Sequence, residues 1–328
     1  MWEGRAQGVR RDITALAEAG LDVAELHAAA IALVDRVVPC ELTCWASIDP
    51  DSATISSMTS GVNRIPQQYE PMLASCEYTP GEPHTFATLA QRGDTVARLE
   101  DKRSTRFNEV WRPLGLSHEL RAMFRADDTC WGGAGMVRTS DFSERELEFM
   151  ASVAPVIGSA TRVAARTAAR RTGTPAIVVV AKDGTIRAST ASTAQWREEL
   201  EEVAPGRFAV MLRAAASGAR AGTFKARVRD AHGGWILLEA SELVSDDAFE
   251  AAVTISRATG AELIGLLLKA YGVTAREQDI CHEVLAGQST SEIAARLAIS
   301  PYTVQDHLKS LFAKFGVRSR LELVAKLS

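Results

Sequence analysis

The chain has 328 residues, of which 46% are hydrophobic and 24% charged, a composition typical of a soluble globular protein with two or three domains. Its formal net charge of −4 excludes a general nucleic-acid coat protein, so any contact with nucleic acid must be local. No apolar run approaches the length of a membrane span and no apolar signal core follows the N-terminus, so we expect a cytoplasmic protein that makes no membrane contact.

The first half of the chain alternates helical and strand patterns. Helical spacing predicts a helix over residues 10–38, and two strands are predicted around a turn at residues 49–51. Short helical segments interrupted by prolines follow, and a second hairpin is predicted around residues 127–128. A capping box of Ser143 and Glu146 then begins a long helix, so this region is predicted to be a mixed domain with an exit helix.

A second group of strands follows a predicted linker at residues 172–175. It contains two strands around an Asp-Gly turn at residues 183–184, a short helix, a hairpin around residues 233–234 and one further strand. A helix then ends at Gly272. Because strand patterns disappear after this point, residues 274–328 are predicted to form a domain of short helices only.

Four helix starts can be located in this last segment. Capping boxes at residues 274–277 and 289–292 begin the first two helices, and Ser300 followed by Pro301 begins the third. A last helix is predicted over residues 319–327. The second and third helices, joined by a three-residue turn, describe a helix-turn-helix, whose second helix is of a size to enter the major groove of DNA.

The third of these helices has two faces of different character. Its apolar face is formed by Val304, Leu308, Leu311 and Phe315. Its opposite face is formed by Tyr302, Asp306, Lys309 and Ala313. The first face is typical of a core contact, and the second is free for another purpose. Between residues 303 and 328 five basic residues stand against two acidic ones, which gives the local positive charge that a contact with phosphates requires.

The segment Thr274–Leu327 resembles the four-helix DNA-binding domain of LuxR-type transcriptional regulators. The resemblance rests on Thr274, Arg276, Glu277, Gly287, Ile293, Ala294, Leu297, Thr303, Val304, His307, Lys314, Gly316 and Arg320. It implies that Gln305, Asp306 and Lys309 read base edges, for which adenine, cytosine and guanine respectively are suitable partners. Candidate contacts to DNA phosphates are Thr303, Lys314 and Arg320. Because the last helix of this family commonly pairs two protomers, Leu321 and Val324 are candidates for a homodimer interface.

The preceding residues resemble sensory domains. Residues 22–165 resemble a GAF-type domain in element order and in the pieces VWRPLGLSHELRAMF and CWGGAGMVR, and residues 175–255 loosely resemble a PAS-like domain. In both folds an antiparallel sheet and its helices enclose a small-molecule pocket. Four aromatic residues either line the first cavity or belong to the ordinary core; they are Trp45, Phe86, Trp111 and Trp131.

These observations predict a multidomain chain with α+β GAF-like and PAS-like sensory domains followed by an all-α helix-turn-helix domain. The predicted boundaries are 1–171, 172–265 and 266–328. The resemblance implies a bacterial homodimeric transcription factor that binds double-stranded promoter DNA and responds to a small-molecule effector or a partner protein.

Rival functions depend on motifs that the sequence lacks. No nucleophile elbow, glycine-rich cofactor loop, Gly-Lys-Ser/Thr phosphate loop or metal-ligand spacing occurs, so we expect no enzyme activity, no cofactor and no metal. An enzyme built on the sensory fold, and protein docking by the C-terminal helices, stay open as alternatives. The five cysteines, which are scattered, indicate reduced thiols, with redox sensing as the alternative. They are Cys40, Cys44, Cys76, Cys130 and Cys281.

Overall fold

The computed structural model describes residues 2–99, 103–166, 172–181, 184–220, 222–244 and 249–327. The chain folds into two compact units, Met1–Arg257 (unit 1) and Ala258–Ser328 (unit 2). Unit 1 consists of two lobes, each built on an antiparallel sheet of five strands. The first lobe comprises residues 2–166 and the second lobe residues 172–257.

The described part of the first lobe has five α-helices and five strands. Its helices are α1 (Trp2–Ala17), α2 (Val23–Val34), α3 (Glu70–Cys76), α4 (Phe86–Arg92) and α5 (Glu144–Ala164). Its strands are β1 (Leu42–Ile48), β2 (Ile55–Ser60), β3 (Val96–Leu99), β4 (His118–Ala126) and β5 (Thr129–Arg138). The strands lie in the order β2-β1-β5-β4-β3, and short 3-10 and π-helical turns occupy residues 67–69 and 107–114.

Helices pack closely on both faces of this sheet. Helices α1, α2 and α5 cover one face and share the main hydrophobic core with it. On this face a Cβ at Gly158 of α5 would lie 2.3 Å from the carbonyl oxygen of Arg125, so only glycine allows this approach. On the other face a Cβ at Gly133 of β5 would lie 2.6 Å from the ring of Phe86 of α4. The two glycines therefore set the distance of these helices from the sheet.

The second lobe repeats the strand order of the first. Its strands are β6 (Ala176–Ala181), β7 (Ile186–Ser189), β8 (Phe224–Arg229), β9 (Trp235–Leu243) and β10 (Glu250–Arg257), and its helices are α6 (Thr193–Val203) and α7 (Arg207–Ala219). The order β7-β6-β10-β9-β8 matches that of the first sheet position by position. Trp196 of α6 and Met211 of α7 are buried against this sheet. Asp183, which belongs to the predicted Asp-Gly turn, lies outside the described residues.

Buried polar contacts join the two lobes of unit 1. Arg227 of β8 donates hydrogen bonds to Asp49 Oδ2 from its main-chain N–H at 2.7 Å and from Nε at 2.9 Å. Arg207 of α7 donates from Nη2 to the carbonyl oxygen of Ser56 on β2 at 2.5 Å. Removal of one partner from a buried ion pair typically costs about 3–5 kcal/mol, because the other charge is left uncompensated, so a change of Asp49 or Arg227 alone should loosen the contact between the lobes.

Unit 2 is a bundle of short helices. They are α8 (Gly260–Ala270), α9 (Ala275–Leu285), α10 (Thr290–Arg296), α11 (Pro301–Phe315) and α12 (Arg320–Leu327). Their common core includes Leu268, Ile280, Ile293, Val304 and Leu323, one from each helix in turn. The capping boxes predicted for α9 and α10 are present, and Ser300 Oγ accepts a hydrogen bond from the N–H of Thr303 at 3.0 Å. The four predicted helix starts are thereby confirmed.

The structure confirms the α+β architecture of the N-terminal part and the all-α C-terminal part, but it differs from two local expectations. The helix predicted over residues 10–38 is wrong, since α1 and α2 are separate helices. Gly20 adopts a left-handed φ of 69°, and Asp22 forms a capping box with Glu25 that begins α2. Strand β3 is not predicted, because its four residues are too few to establish a pattern.

None of the described helices combines the length and the apolar character that a bilayer span requires. The described residues include no group of three His, Cys, Asp or Glu side chains with the geometry of a metal site.

Candidate functional site

Helices α10 and α11 form the predicted helix-turn-helix. The connection passes through Ala298, which has a positive φ of 53°, and the N–H of Ile299 donates to the carbonyl oxygen of Ala294 at 3.0 Å. Ser300 then caps α11, with Pro301 at its first position, where a missing N–H removes no helical hydrogen bond. The sharp turn therefore ends one helix and begins the next within a few residues.

The two faces of α11 differ as the sequence predicts. Its apolar face is buried at Val304, Leu308, Leu311 and Phe315. The opposite face is open, and Tyr302 is 71% exposed although it is large and aromatic. Gln305, Asp306 and Lys309 are all exposed on this open face. The three predicted base-reading side chains therefore share one accessible surface on the N-terminal two thirds of the helix.

Lys309 and Asp306 form an ion pair in the free protein. Lys309 Nζ lies 3.2 Å from Asp306 Oδ1, and the side chains are 72% and 50% exposed respectively. An exposed pair at this spacing contributes only about 0.3–0.5 kcal/mol to stability. DNA can therefore separate the two groups at little cost.

The predicted phosphate contacts fall into two groups. Thr303 lies in the first turn of α11, where the helix dipole favours a phosphate, although its own N–H is capped by Ser300 Oγ. In contrast, Lys314 Nζ donates to Glu277 Oε2 at 2.6 Å and to the carbonyl oxygen of Gly272 at 2.7 Å. Arg320 Nη1 similarly donates to the carbonyl oxygen of Gln288 at 2.5 Å. In the free protein, Lys314 and Arg320 therefore hold unit 2 together.

Glu277 is the acceptor for several of these structural bonds. It receives hydrogen bonds from the N–H of Thr274 at 2.8 Å, from Thr274 Oγ1 at 3.0 Å and from Ser310 Oγ at 2.6 Å, in addition to Lys314. Burial alone would raise the pKa of Glu277, but the bonds from Lys314, Ser310 and Thr274 outweigh it and lower the pKa to about 2. The capping-box pattern identifies Glu277 as a cap, but it does not reveal the contacts with α11.

The predicted dimer residues differ in exposure. Leu321 on α12 is 79% exposed, whereas Val324 is half-buried against the core of unit 2. A leucine this exposed on a regular helix is available to a partner surface.

Unit 1 contains a cavity of about 500 Å³ between its two lobes. The lining comes from the first lobe, including Phe86 and Trp111, and from the segment of the second lobe around the start of α7. A volume of this size is within the range of small-molecule sites, roughly 300–1,000 Å³.

Only two of the four predicted aromatic residues line this cavity. Trp45 belongs to the core instead, with its ring centroid 4.8 Å from that of Phe124. Its neighbour Cys44 does line the cavity, and consecutive strand residues point to opposite faces of a sheet. Trp131 is also buried outside the lining, because it lies near the turn of the β4-β5 hairpin and the cavity lies near its other end. Trp45 and Trp131 therefore belong to the core, which is one of the two alternatives that the sequence leaves open, whereas Phe86 and Trp111 line the cavity.

Charged groups in the wall of the cavity form a closed network. Glu119 accepts hydrogen bonds from Arg106 Nε at 2.9 Å, from Arg121 Nε at 2.8 Å and from Trp111 Nε1 at 3.0 Å. Arg121 is also paired with Glu77 at 2.5 Å. Burial would raise the pKa of Glu119, but the guanidinium groups of Arg106 and Arg121 outweigh it and lower the pKa to about 2. The network is therefore ionised and internally satisfied.

The cysteines are free thiols. Burial raises the pKa of each one, to about 11 for Cys44 and Cys281 and to about 12 for Cys40 and Cys76. Cys130 shifts in the same direction for the same reason. Since the thiolate is the reactive form in redox chemistry, these surroundings favour reduced thiols over a redox sensor.

The helical C-terminal segment matches a known family. Residues 272–327 match the family described as bacterial regulatory proteins, luxR family. The spore germination protein GerE of Bacillus subtilis is 34% identical over 55 residues, which make up 17% of this chain and 74% of that protein. The chain belongs to the LuxR family. A putative HTH-type transcriptional regulator of Mycobacterium bovis is also similar to this LuxR segment, with 46% identity over 52 residues.

The family match and the curated relatives named above align with the helix-turn-helix segment of this chain. The match to the Mycobacterium bovis protein includes 16% of this chain and 6% of that relative. Among solved structures, the GAF domain of nlh2 from A. aeolicus aligns with this chain with a TM-score of 0.37 and 13% identity, covering 50% of this chain and 99% of that one. A likeness of this degree assigns neither a ligand nor a function to unit 1.

Proposed function

We propose that this LuxR-family protein is a cytoplasmic transcriptional regulator that binds promoter DNA through α11 and is controlled by a small molecule. The observation that carries the proposal is the open face of α11. Its apolar side is fully used in the core of unit 2, while its polar side presents three side chains suited to base edges. Membership of a family of regulatory proteins supports the same conclusion.

Gln305, Asp306 and Lys309 are the proposed base-reading residues. A glutamine can pair with adenine, a carboxylate can accept from the amino group of cytosine, and a lysine can donate to guanine. Asp306 repels phosphates, so its presence on this face favours a role in rejecting wrong bases over general electrostatic binding. Thr303 is the proposed phosphate contact at the start of the helix.

Lys314 and Arg320 already form hydrogen bonds within unit 2, so each can contact a phosphate only while it keeps those bonds. Lys314 has three donor hydrogens and a side chain that is 28% exposed, so it can keep its contact with Glu277 while it faces a phosphate. The proposed role of both residues is to hold the surface of unit 2 in place and to add positive charge to it.

A homodimer is the proposed assembly, with Leu321 and Val324 of α12 at the interface. The exposure of Leu321 supports this proposal. Two copies of α11 would then read two half-sites about one helical turn of DNA apart.

The cavity of unit 1 is the proposed binding site for the small-molecule effector. The two lobes of unit 1 are proposed as GAF-like and PAS-like sensory domains, and unit 2 contains the proposed DNA-binding domain. The sequence predicts the domain bounds 1–171, 172–265 and 266–328, whereas the two compact units divide after Arg257. The shared strand order of the two sheets supports related folds for the two lobes. A ligand can shift DNA binding only by as much as it prefers one arrangement of the dimer over the other. Enzyme activity forms no part of this proposal.

The DNA-binding step is tested by mobility shift with the full chain and a promoter fragment recovered from genome-wide mapping of its bound sites. Lys309→Ala should weaken binding by about 1–3 kcal/mol if the lysine makes a bidentate contact. Lys225→Ala is the matched control, because Lys225 is also an exposed lysine in an ion pair, with Glu239 at 2.9 Å. Equal binding by the two variants would contradict the proposed role of Lys309.

A further inference from the structure

Arg207 is a buried cation that has no carboxylate partner among the residues that the structure describes. It is 6% exposed, lies at the start of α7 and lines the cavity of unit 1. Its Nη2 group donates to the carbonyl oxygen of Ser56, but its Nε is buried and has no hydrogen-bond partner among the described residues. Several other buried arginines of unit 1 are paired with carboxylates, as Arg121 is with Glu77 and Arg227 with Asp49. Burial lowers the pKa of Arg207 to about 10, and it stays charged at neutral pH.

The hydroxyl group of Tyr78 lies in the same wall of the cavity. It accepts a hydrogen bond from the N–H of Ile55 at 3.3 Å, while Arg207 bonds to Ser56, the next residue of β2. Burial raises the pKa of Tyr78 above its ordinary value, so the hydroxyl group stays protonated and can donate a hydrogen bond to an acceptor in the cavity.

The other ionisable groups of the lining leave this positive charge uncompensated. Glu77, Glu119 and Arg121 belong to the closed network described above. Arg64 is exposed and Glu70 is partly exposed, so water screens both. A buried charge without a counter-ion is costly, and an anion entering the cavity would relieve that cost.

Most of the remaining lining is apolar. It includes Leu42, Ile55, Met58, Leu73, Val210 and Met211. A ligand that fills this space therefore needs a hydrophobic body as well as a group that accepts hydrogen bonds.

We propose that the cavity of unit 1 binds a small organic acid, with its anionic group on Arg207 and Tyr78 and its apolar body against the remaining walls. This inference names the chemical class of the effector and so rests on the proposed ligand control. A bidentate guanidinium contact and a hydroxyl donor together select an anion over a neutral molecule of the same shape.

The test compares two fluorescent probes that share one aromatic body. The probe 8-anilino-1-naphthalenesulfonate carries an anionic group, and N-phenyl-1-naphthylamine lacks it. Titrations use the full chain without DNA. We expect the anionic probe to bind one site per chain more tightly than the neutral one. Arg207→Met should weaken the anionic probe by about tenfold or more and change the neutral probe by less than about twofold, since only the anion uses the charge-assisted bonds.

Two further variants keep the test decisive. Arg213→Met is the matched control, because Arg213 lies on the same helix, is hydrogen-bonded to Ser75 and does not line the cavity. Tyr78→Phe should weaken the anionic probe by a smaller factor than Arg207→Met, and it stands in for that variant if circular dichroism shows Arg207→Met to be unfolded.

The proposal is overturned if folded Arg207→Met, or Tyr78→Phe in its place, binds the anionic probe as tightly as the wild type does. It is also overturned if the wild type binds the neutral probe more tightly than the anionic one. Because no DNA is present, this result is independent of the DNA-binding step. If the chain binds the anionic probe selectively but its affinity for promoter DNA is the same with and without the probe, the anion site is supported and the proposed ligand control is contradicted.

Discussion

Replacing Glu277 with glutamine tests how α9 is fixed to α11. Glu277→Gln keeps the shape of the side chain but removes the charge that Lys314 and the hydroxyl of Ser310 contact at 2.6 Å each. A hydrogen bond to a charged group contributes roughly 1.5–3 kcal/mol. The lowered pKa, about 2 against an ordinary value of 4.5, corresponds to about 3 kcal/mol. Because Glu277 is 4% exposed and Lys314 is partly in water, we expect a loss of about 2–3 kcal/mol.

Hydrogen exchange measured by mass spectrometry can isolate this effect in unit 2. All six tryptophans lie in unit 1, so tryptophan fluorescence does not report on the helices concerned, whereas exchange in peptides from α9 and α11 does. Glu292→Gln is the matched control, since Glu292 holds the same capping-box position in α10 but is exposed, and among the described residues its carboxylate accepts a hydrogen bond from Ser289 alone. We expect faster exchange in Glu277→Gln and little change in the control.

The difference in stability between the wild type and Glu277→Gln should also depend on pH. The pKa of Glu277 is lower in the folded state than in the unfolded chain, so its contribution is fully present above about pH 5 and is lost as the pH falls toward 2. The gap in stability between wild type and Glu277→Gln should therefore be roughly halved at pH 3 relative to pH 7. A gap that is unchanged at pH 3, or one no larger than that of Glu292→Gln, would refute the reasoning.

Two further predictions concern the cores. Val304→Asp should unfold unit 2 and lower the helical circular dichroism, because it places an unpaired charge at a fully buried position; Gln305→Asp on the open face is its control and should stay folded. Burial lowers the pKa of His27 to about 4, so its neutral form contributes stability that is complete above about pH 6.5 and is lost as the pH falls toward 4, by up to about 3 kcal/mol. Denaturant unfolding of unit 1, followed by tryptophan fluorescence, should lose part of this pH dependence in His27→Phe, and an identical pH profile in wild type and variant would contradict the assignment.

Local signals in the sequence were sufficient for unit 2. The caps at Thr274, Ser289 and Ser300 and the apolar spacing of α11 depend on residues within four positions of one another, so they can be read without the fold. The role of Lys314 could not be read in this way. Its partner Glu277 is 37 positions away, and only the packed structure brings the two together.

Contacts between distant segments also limited what could be predicted for unit 1. The aromatic residues near the sheet were identified, but alternation along β1 places Trp45 in the core while Trp111 reaches the cavity. The sequence did not indicate that Arg207 is buried in a cavity wall, because its hydrogen-bond partner Ser56 on β2 lies 151 residues earlier in the chain. The wall of the cavity is formed by both lobes, so a reading of either lobe alone could not locate it.

The central claim is that the open face of α11 reads bases. It is tested most directly by selecting preferred sites from a random DNA library with the full wild-type chain and with a variant in which Gln305, Asp306 and Lys309 are all alanine. We expect the wild type to select a defined pair of half-sites and the variant to lose preference at the contacted positions while keeping salt-dependent, nonspecific binding. Selection of the same sequences by both proteins would contradict the claim.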